Sequence, residues 1–247
     1  MYCPACSNEG LRNSPDSARV VDFACDSCGA EYQLKSTKGR FGAKVPDAAY
    51  EPMMRRISAN NSPHFAFLRY STDTWRVQDL LLVPGHFITA STIERRRPLS
   101  SSARRSGWVG CNIVLRSVPP DGQVLPVSRG TLVAPARVRA AWARLRWMED
   151  EDADTRSWTA DVLRCVRTIG RARFSLADVY RFEGELSLLH PRNRNVRPKI
   201  RQQLQVLRDQ GVLDFAGRGR YQLPPHDSAI RRPYAPSPSS FSRSCSR

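Results

Sequence analysis

Four cysteines and an acid–amide–lysine set are the residues of this sequence whose types and spacing suit chemistry. Cys3-x-x-Cys6 and Cys25-x-x-Cys28 are separated by 18 residues. Each pair turns tightly enough to aim two thiolates at one ion, and two such pairs at this separation match a four-cysteine zinc ribbon. Four soft ligands close the coordination shell, so the expected role of Zn²⁺ is structural. Two redox dithiols are the poorer reading, since neither pair opens a helix inside a βαβ pattern. Around the second pair lie two short runs, Arg19-Val20-Val21-Asp22-Phe23 and Glu31-Tyr32-Gln33-Leu34-Lys35. Both read as strands. Side chains alternate on a strand, so Glu31, Gln33 and Lys35 share one face, and Tyr32 and Leu34 face the core. An acid plus an acid-x-lysine pair is the minimal kit for magnesium-assisted phosphodiester hydrolysis, and here the second acid position is Gln33. The oxygens hold Mg²⁺, and the lysine stabilises charge developing on the phosphate. By itself the pattern is weak, and solvated charges on ribbon strands are its plainer reading.

The elements that must position these residues come from a chain of 247 residues, long enough for one large or two smaller domains. It can bury a core without help from cysteines. Lys and Arg number 39 against 23 acids, a formal charge of +16, which points to a polyanionic partner, most commonly nucleic acid. No apolar run is long enough to span a membrane, and the start Met1-Tyr2-Cys3 shows no signal-peptide pattern. Seven cysteines, four of them in CxxC pairs, favour metal ligation in a reducing, cytoplasmic setting over a disulfide framework. Cys111 and Cys165 read as core packing, and Cys245 has no partner pattern.

In the middle of the chain, residues 36–42 form a basic, glycine-bearing loop suited to tracking phosphates. A helix is expected from Met53 to Ala59 after Pro52, and strands over His64 to Tyr70 and Val77 to Val83. With the two motif strands these make one mixed sheet. His64 and His86 read as turn-flanking residues rather than ligands or bases. Residues 94–108 carry Arg95, Arg96, Arg97, Arg104 and Arg105 and end in Trp108.

The acidic run Glu149 to Asp154 reads as a domain boundary. Beyond it, helices are expected over Trp158 to Ile169, from a Ser175 cap through Leu189, and from Pro198 to a stop at Gly211. A hairpin with a basic, glycine-rich tip follows, over Val212 to Leu223. Three helices and a hairpin make a winged helix. Its third helix buries Ile200, Leu204 and Leu207 and offers Lys199, Arg201, Gln202 and Gln205 to the major groove. Arg218 and Arg220 on the wing would touch phosphates. Residues 224–247 read as a disordered basic Pro/Ser/Arg tail.

Val-Val-Asp-Phe before a CxxC pair, then Gln-Leu-Lys-Ser-x-Lys-Gly, resembles the PD-(D/E)xK restriction endonucleases, and among them the DpnI type that cuts adenine-methylated GATC. The resemblance continues through Met53-Met54-Arg55-Arg56, Arg104-Arg105-Ser106-Gly107-Trp108-Val109-Gly110-Cys111-Asn112-Ile113, and Lys199-Ile200-Arg201-Gln202-Gln203-Leu204-Gln205-Val206-Leu207-Arg208. It implies an α/β restriction-endonuclease-like domain with an inserted zinc ribbon over residues 1–150, and a winged helix over 151–223. It implies Asp22, Gln33 and Lys35 as the catalytic set, with Asp22 and Gln33 on Mg²⁺ and Cys3, Cys6, Cys25 and Cys28 on Zn²⁺. It makes residues 94–108 DNA-facing, with Trp108 beside the methyl groups of modified adenines. The partner implied is methylated double-stranded DNA, bound by a monomer.

Two departures stand out. The family's second acid is Gln33 here, with Glu31 a candidate substitute on the same face. The family also carries a helical segment before the first knuckle, and this chain begins almost at the knuckle. Pro15-Asp16 is a rival literal Pro-Asp pair, set in a polar loop. The departures keep two other readings open: an inactive binder of methyl-adenine DNA, and a zinc-ribbon, winged-helix transcription regulator.

Overall fold

The protein was analysed as a computed structural model, which describes residues 1–15 and 21–224. In chain order come strands β1 (Arg12–Asn13), β2 (Phe23–Ala24), β3 (Glu31–Thr37) and β4 (Lys44–Ala49), then helix α1 (Tyr50–Ser58). Strands β5 (His64–Tyr70), β6 (Val77–Val83), β7 (Ile93–Arg95), β8 (Gly110–Val114), β9 (Val124–Ser128) and β10 (Thr131–Leu132) follow, and α2 (Pro135–Ala143) ends this half. The second half is α3 (Ala153–Thr168), β11 (Arg173–Ser175), α4 (Leu176–Tyr180), α5 (Glu183–Leu189), α6 (Val196–Asp209), β12 (Asp214–Phe215) and β13 (Arg220–Gln222).

The expected mixed sheet is present, with seven strands in the order β1-β2-β3-β5-β6-β9-β10. β3 and β5 run parallel, with Gln33 level with Phe65 and Lys35 level with Phe67. Alternation along β3 decides what each face does. Tyr32 and Leu34 pack with Ala66, Leu80, Leu82 and Trp142 of α2. The Gln33 and Lys35 face is also covered, because a second sheet, β4-β8-β7, lies over Phe65 and Phe67 with Val45, Cys111 and Ile113. The sequence reading did not foresee this second sheet. It covers a face whose charges the plainer reading left solvated.

Among the described residues β2 begins at Phe23, while Asp16, Arg19 and Val20 lie outside them. Just before β2, the Asp22 carboxylate accepts the Leu34 N–H at 2.6 Å. The histidine expectation needs correcting, since His86 is buried and His64 is half-buried among aromatic rings. His64 packs between Tyr32 and Trp142, with ring centres 5.1 and 4.8 Å away, and its Nδ1 accepts from Gly85 N–H at 2.9 Å. His86 is 3% exposed. Burial, reinforced by neighbouring His86, pulls the His64 pKa down to about 4, so the ring stays neutral at pH 7.

The acidic run is not a plain linker. Asp152 caps α3, accepting from the N–H groups of Asp154 and Thr155 at 2.9 and 3.0 Å. The α3 helix is then buried nearly all round, from Arg156 through Leu163 and again at Cys165 and Val166. The second half has winged-helix architecture: α3, α4 and α6 pack together beside a three-stranded sheet in the order β11-β13-β12. Ser175 caps α4 in a reciprocal box with Asp178, as read from sequence. The single helix expected through Leu189 is two, α4 and α5, broken at Arg181 and Phe182. α6 stops where Gly211 adopts a φ of +66°, which a side chain would strain. Apart from Pro224, the expected tail lies outside the described residues, Cys245 included.

Candidate metal centres and nucleic-acid interface

Cys3, Cys6, Cys25 and Cys28 converge, with all four Sγ atoms within 4.8 Å of one another. Cys3 and Cys28 stand 3.7 Å apart and Cys6 and Cys25 3.6 Å. Zn–S bonds of about 2.3 Å in a tetrahedron put sulfurs about 3.8 Å apart, so this cluster has the size to hold one zinc ion. Asn8 donates its backbone N–H to Cys6 Sγ and its side-chain amide to Cys25 Sγ, both at 3.4 Å. Burial opposes ionisation of Cys25, but donors from Asn8, Cys28 and Ser27 outweigh it and draw its pKa down to about 6. The knuckles are tied to the rest of the domain from two sides. Arg139 of α2 donates to the carbonyls of Cys3 and Ser7 at 3.3 Å each, and the Tyr32 hydroxyl meets Cys3 Sγ at 3.4 Å. The ribbon is thus joined directly to the strand that carries Gln33 and Lys35.

Those two residues form the second centre. One step beyond the β2–β3 register, in which Phe23 faces Tyr32, Asp22 stands across from Gln33. Lys35 follows Gln33 on the same face. Its ammonium is ion-paired with the Asp47 carboxylate of β4, which comes from the covering sheet. Gln33 Nε2 donates to the same Asp47 oxygen at 3.4 Å. The side chain of Asp47 has no exposed surface, and its Oδ2 is a buried acceptor without a donor, as is Gln33 Oε1. Asp22 is thus level with Gln33, with its carboxylate on the Leu34 N–H, and Lys35 follows Gln33 along β3. Glu31, the candidate substitute acid, is exposed and turned to Arg56 at 3.8 Å. Asp47 was missed. It belongs to a second Pro-Asp pair, Pro46-Asp47, but such dipeptides also occur at Pro15-Asp16 and Pro120-Asp121, so the signal was there without being specific. A hard divalent cation takes oxygen ligands, and orphaned carboxylate and amide oxygens beside an exposed Asp22 suit one.

The basic surfaces have distinct bases. Lys38 and Arg40, exposed on the loop after β3, follow directly from the Lys35 strand. Residues 96–109 extend the β7–β8 hairpin, closed by Arg96 N–H to Gly110 O at 2.9 Å and Leu99 N–H to Trp108 O at 3.0 Å. Arg104 and Arg105 are exposed there, and the Arg105 guanidinium lies 5.0 Å from the Trp108 ring centre. Trp108 is partly exposed and lies against Gly110, where a Cβ would fall 2.7 Å from the ring. It is thus a surface-held ring and not a core residue. Cys111, beside it in sequence, is buried and hydrogen-bonded to Ala48 O. Burial and the nearby Asp47 push its thiol up to about 11, and burial pushes Cys165 up to about 12, as packing cysteines require. On α6, Ile200, Leu204 and Leu207 are fully buried, whereas Arg201, Gln202 and Gln205 are exposed on one side and Lys199 is half-buried. Arg218 and Arg220 are exposed on the β12–β13 wing.

A mixed-sheet domain with a four-cysteine cluster, joined to a winged helix with a polar outward helix face, defines a two-part DNA-binding protein. The family model described as the Dam-replacing family matches residues 1–151, and the one described as the Dam-replacing HTH domain matches residues 154–223. The chain belongs to this DpnI-type family, and membership implies a methyl-directed restriction endonuclease whose partner is DNA. No helix among the described residues is long and apolar enough to cross a membrane.

Proposed function

We propose that the chain is a type II endonuclease that hydrolyses double-stranded DNA at adenine-methylated GATC with Mg²⁺, on an α/β restriction-endonuclease-like core stapled by structural Zn²⁺. The observation that supports this is the register that sets Asp22 level with Gln33, two residues before Lys35 on β3, in a chain of this family. Mg²⁺, when bound through Asp22 and Gln33, supplies charge at the scissile phosphate and favours ionisation of a water. Lys35 offers its ammonium to charge building on the phosphate oxygens. Lys38, Arg40, Arg104 and Arg105 hold flanking phosphates. Arg201, Gln202 and Gln205 read base edges, with Lys199 at the same face and Arg218 and Arg220 on the backbone. Trp108, held on Gly110 by Arg105, offers a flat apolar surface to adenine methyl groups.

Gln33 supports a second reading, a binder of methylated DNA that no longer cuts, because an amide brings no charge to the metal. One plasmid, prepared with and without adenine methylation and incubated with protein and Mg²⁺, separates the two. The first reading expects cutting of the methylated form only, abolished by Asp22→Ala and by Lys35→Ala. Binding without cutting, in wild type and in Gln33→Glu, selects the second.

A further inference from the structure

We infer that Asp47 holds the catalytic divalent cation and supplies the negative charge that Gln33 lacks; this rests on the endonuclease reading above. Burying a carboxylate is costly unless every oxygen finds a partner. Here Oδ1 meets Lys35 and Gln33, whereas Oδ2 is buried with no donor. Gln33, which meets the other oxygen of this carboxylate, has the complementary defect: its amide N–H donates to Asp47 Oδ1 and leaves its own Oε1 buried and unpartnered. Two orphaned acceptors on side chains that touch each other suit a cation and not a further carboxylate or amide oxygen. Oxygen donors of this kind are what a hard divalent ion takes.

Charge counting agrees. Asp22, Gln33 and Lys35 alone sum to zero and give a divalent ion no net attraction. Adding Asp47 brings the set to −1, the value it would have with a second acid in place of Gln33. Asp47 reaches this point from the other sheet, so the cation would also clamp β4 to β3.

Binding of Mn²⁺ to the full-length zinc-loaded protein, followed by calorimetry without DNA, reads this directly. Asp47→Asn keeps the shape and removes the charge, and should weaken Mn²⁺ binding about tenfold or more. Gln33→Glu/Asp47→Asn swaps the acid to the neighbouring position and should restore most of the affinity. Unchanged Mn²⁺ affinity in Asp47→Asn overturns the inference and makes Asp47 a counter-ion that positions Lys35. If Asp47→Asn does not fold, judged by zinc content and melting, a Mn²⁺ soak of wild-type crystals decides. Anomalous density bonded to Asp47 Oδ2 upholds the inference, and density on Asp22 and Gln33 alone overturns it. A wild type that binds Mn²⁺ through Asp47 but never cuts methylated DNA sinks the endonuclease reading and leaves this one standing. Cutting with Asp47 uninvolved does the reverse.

Discussion

Gln33→Glu places a second carboxylate against Asp47, where an amide now donates at 3.4 Å. Two like charges at that range in a covered site repel, and Lys35 balances only one of them. The variant is expected to melt below wild type in chelator and to gain more from Mg²⁺ than wild type does, because binding to the folded state alone stabilises it. Equal Mg²⁺ dependence in the two proteins would show that the side chain at position 33 does not meet the ion. Cys25→Ser removes one of four thiolates and should lower zinc content well below one per chain, with a fall in melting temperature. Metal analysis and a thermal scan check it. The cysteines were legible from sequence because a CxxC turn fixes its own geometry within four residues. The level placement of Asp22 and Gln33, with Lys35 two residues on, was legible from the order of the β2 and β3 runs and the alternation along β3. Asp47 was not, since its contact depends on the packing of one sheet over another.

At the scale of elements, α6 shows how one helix divides stability from recognition. Of the adjacent pair Gln202 and Gln203, the first is exposed and the second is buried, with Thr159 Oγ1 donating to its Oε1 at 2.6 Å. Gln203→Ala should cost about 1–2 kcal/mol, since it removes a buried hydrogen bond and its packing, while Thr159 Oγ1 keeps the Thr155 carbonyl at 2.8 Å. Gln202→Ala should leave the melt unchanged and erode preference for methylated GATC, whereas Arg218→Ala should weaken all duplexes alike. Binding titrations on methylated and unmethylated duplexes, beside denaturant melts, read the three apart. Trp108 depends on its neighbour in a similar way. Gly110→Ala would drive a methyl to within 2.7 Å of the indole, so the ring must leave its seat. Loss of methyl discrimination with zinc content intact is the expected result, and retained discrimination would remove Trp108 from the reading. The helix spacing, the Ser175 box and Gly211 made this module readable. The break at Arg181 and Phe182 was not, because both flanking stretches keep helical composition.

Across the whole molecule, the two halves share one core. Trp158, Val162 and Val166 of α3 belong to the same apolar cluster as Phe65, Phe87 and Leu115 of the sheet domain. Polar ties reinforce it. Arg156 donates to Ile57 O at 3.3 Å, and the fully covered Asp121 carboxylate accepts from Arg167 Nε at 2.7 Å and is also paired with Arg144. A boundary drawn at the acidic run marks a change of architecture and of family model, while the packing continues through it. Full-length protein should therefore unfold in one calorimetric transition. A fragment from Thr155 to Leu223 loses the Asp152 cap, worth about 1 kcal/mol, and exposes the covered side of α3. It should be less helical and melt lower than the same module in the intact chain. Asp121→Asn tests the coupling without truncation. Leaving Arg167, 11% exposed, without its carboxylate should cost about 3 kcal/mol. The half-buried, neutral His64 adds a pH signature. Its folded pKa lies below the unfolded value, so its contribution is complete above about 6.5 and is lost as pH falls toward about 4. The single transition should move down as a whole over that window and in Asp121→Asn. Two transitions, with only one of them shifted, would show that the winged helix folds on its own and that the shared core does not bind the halves together.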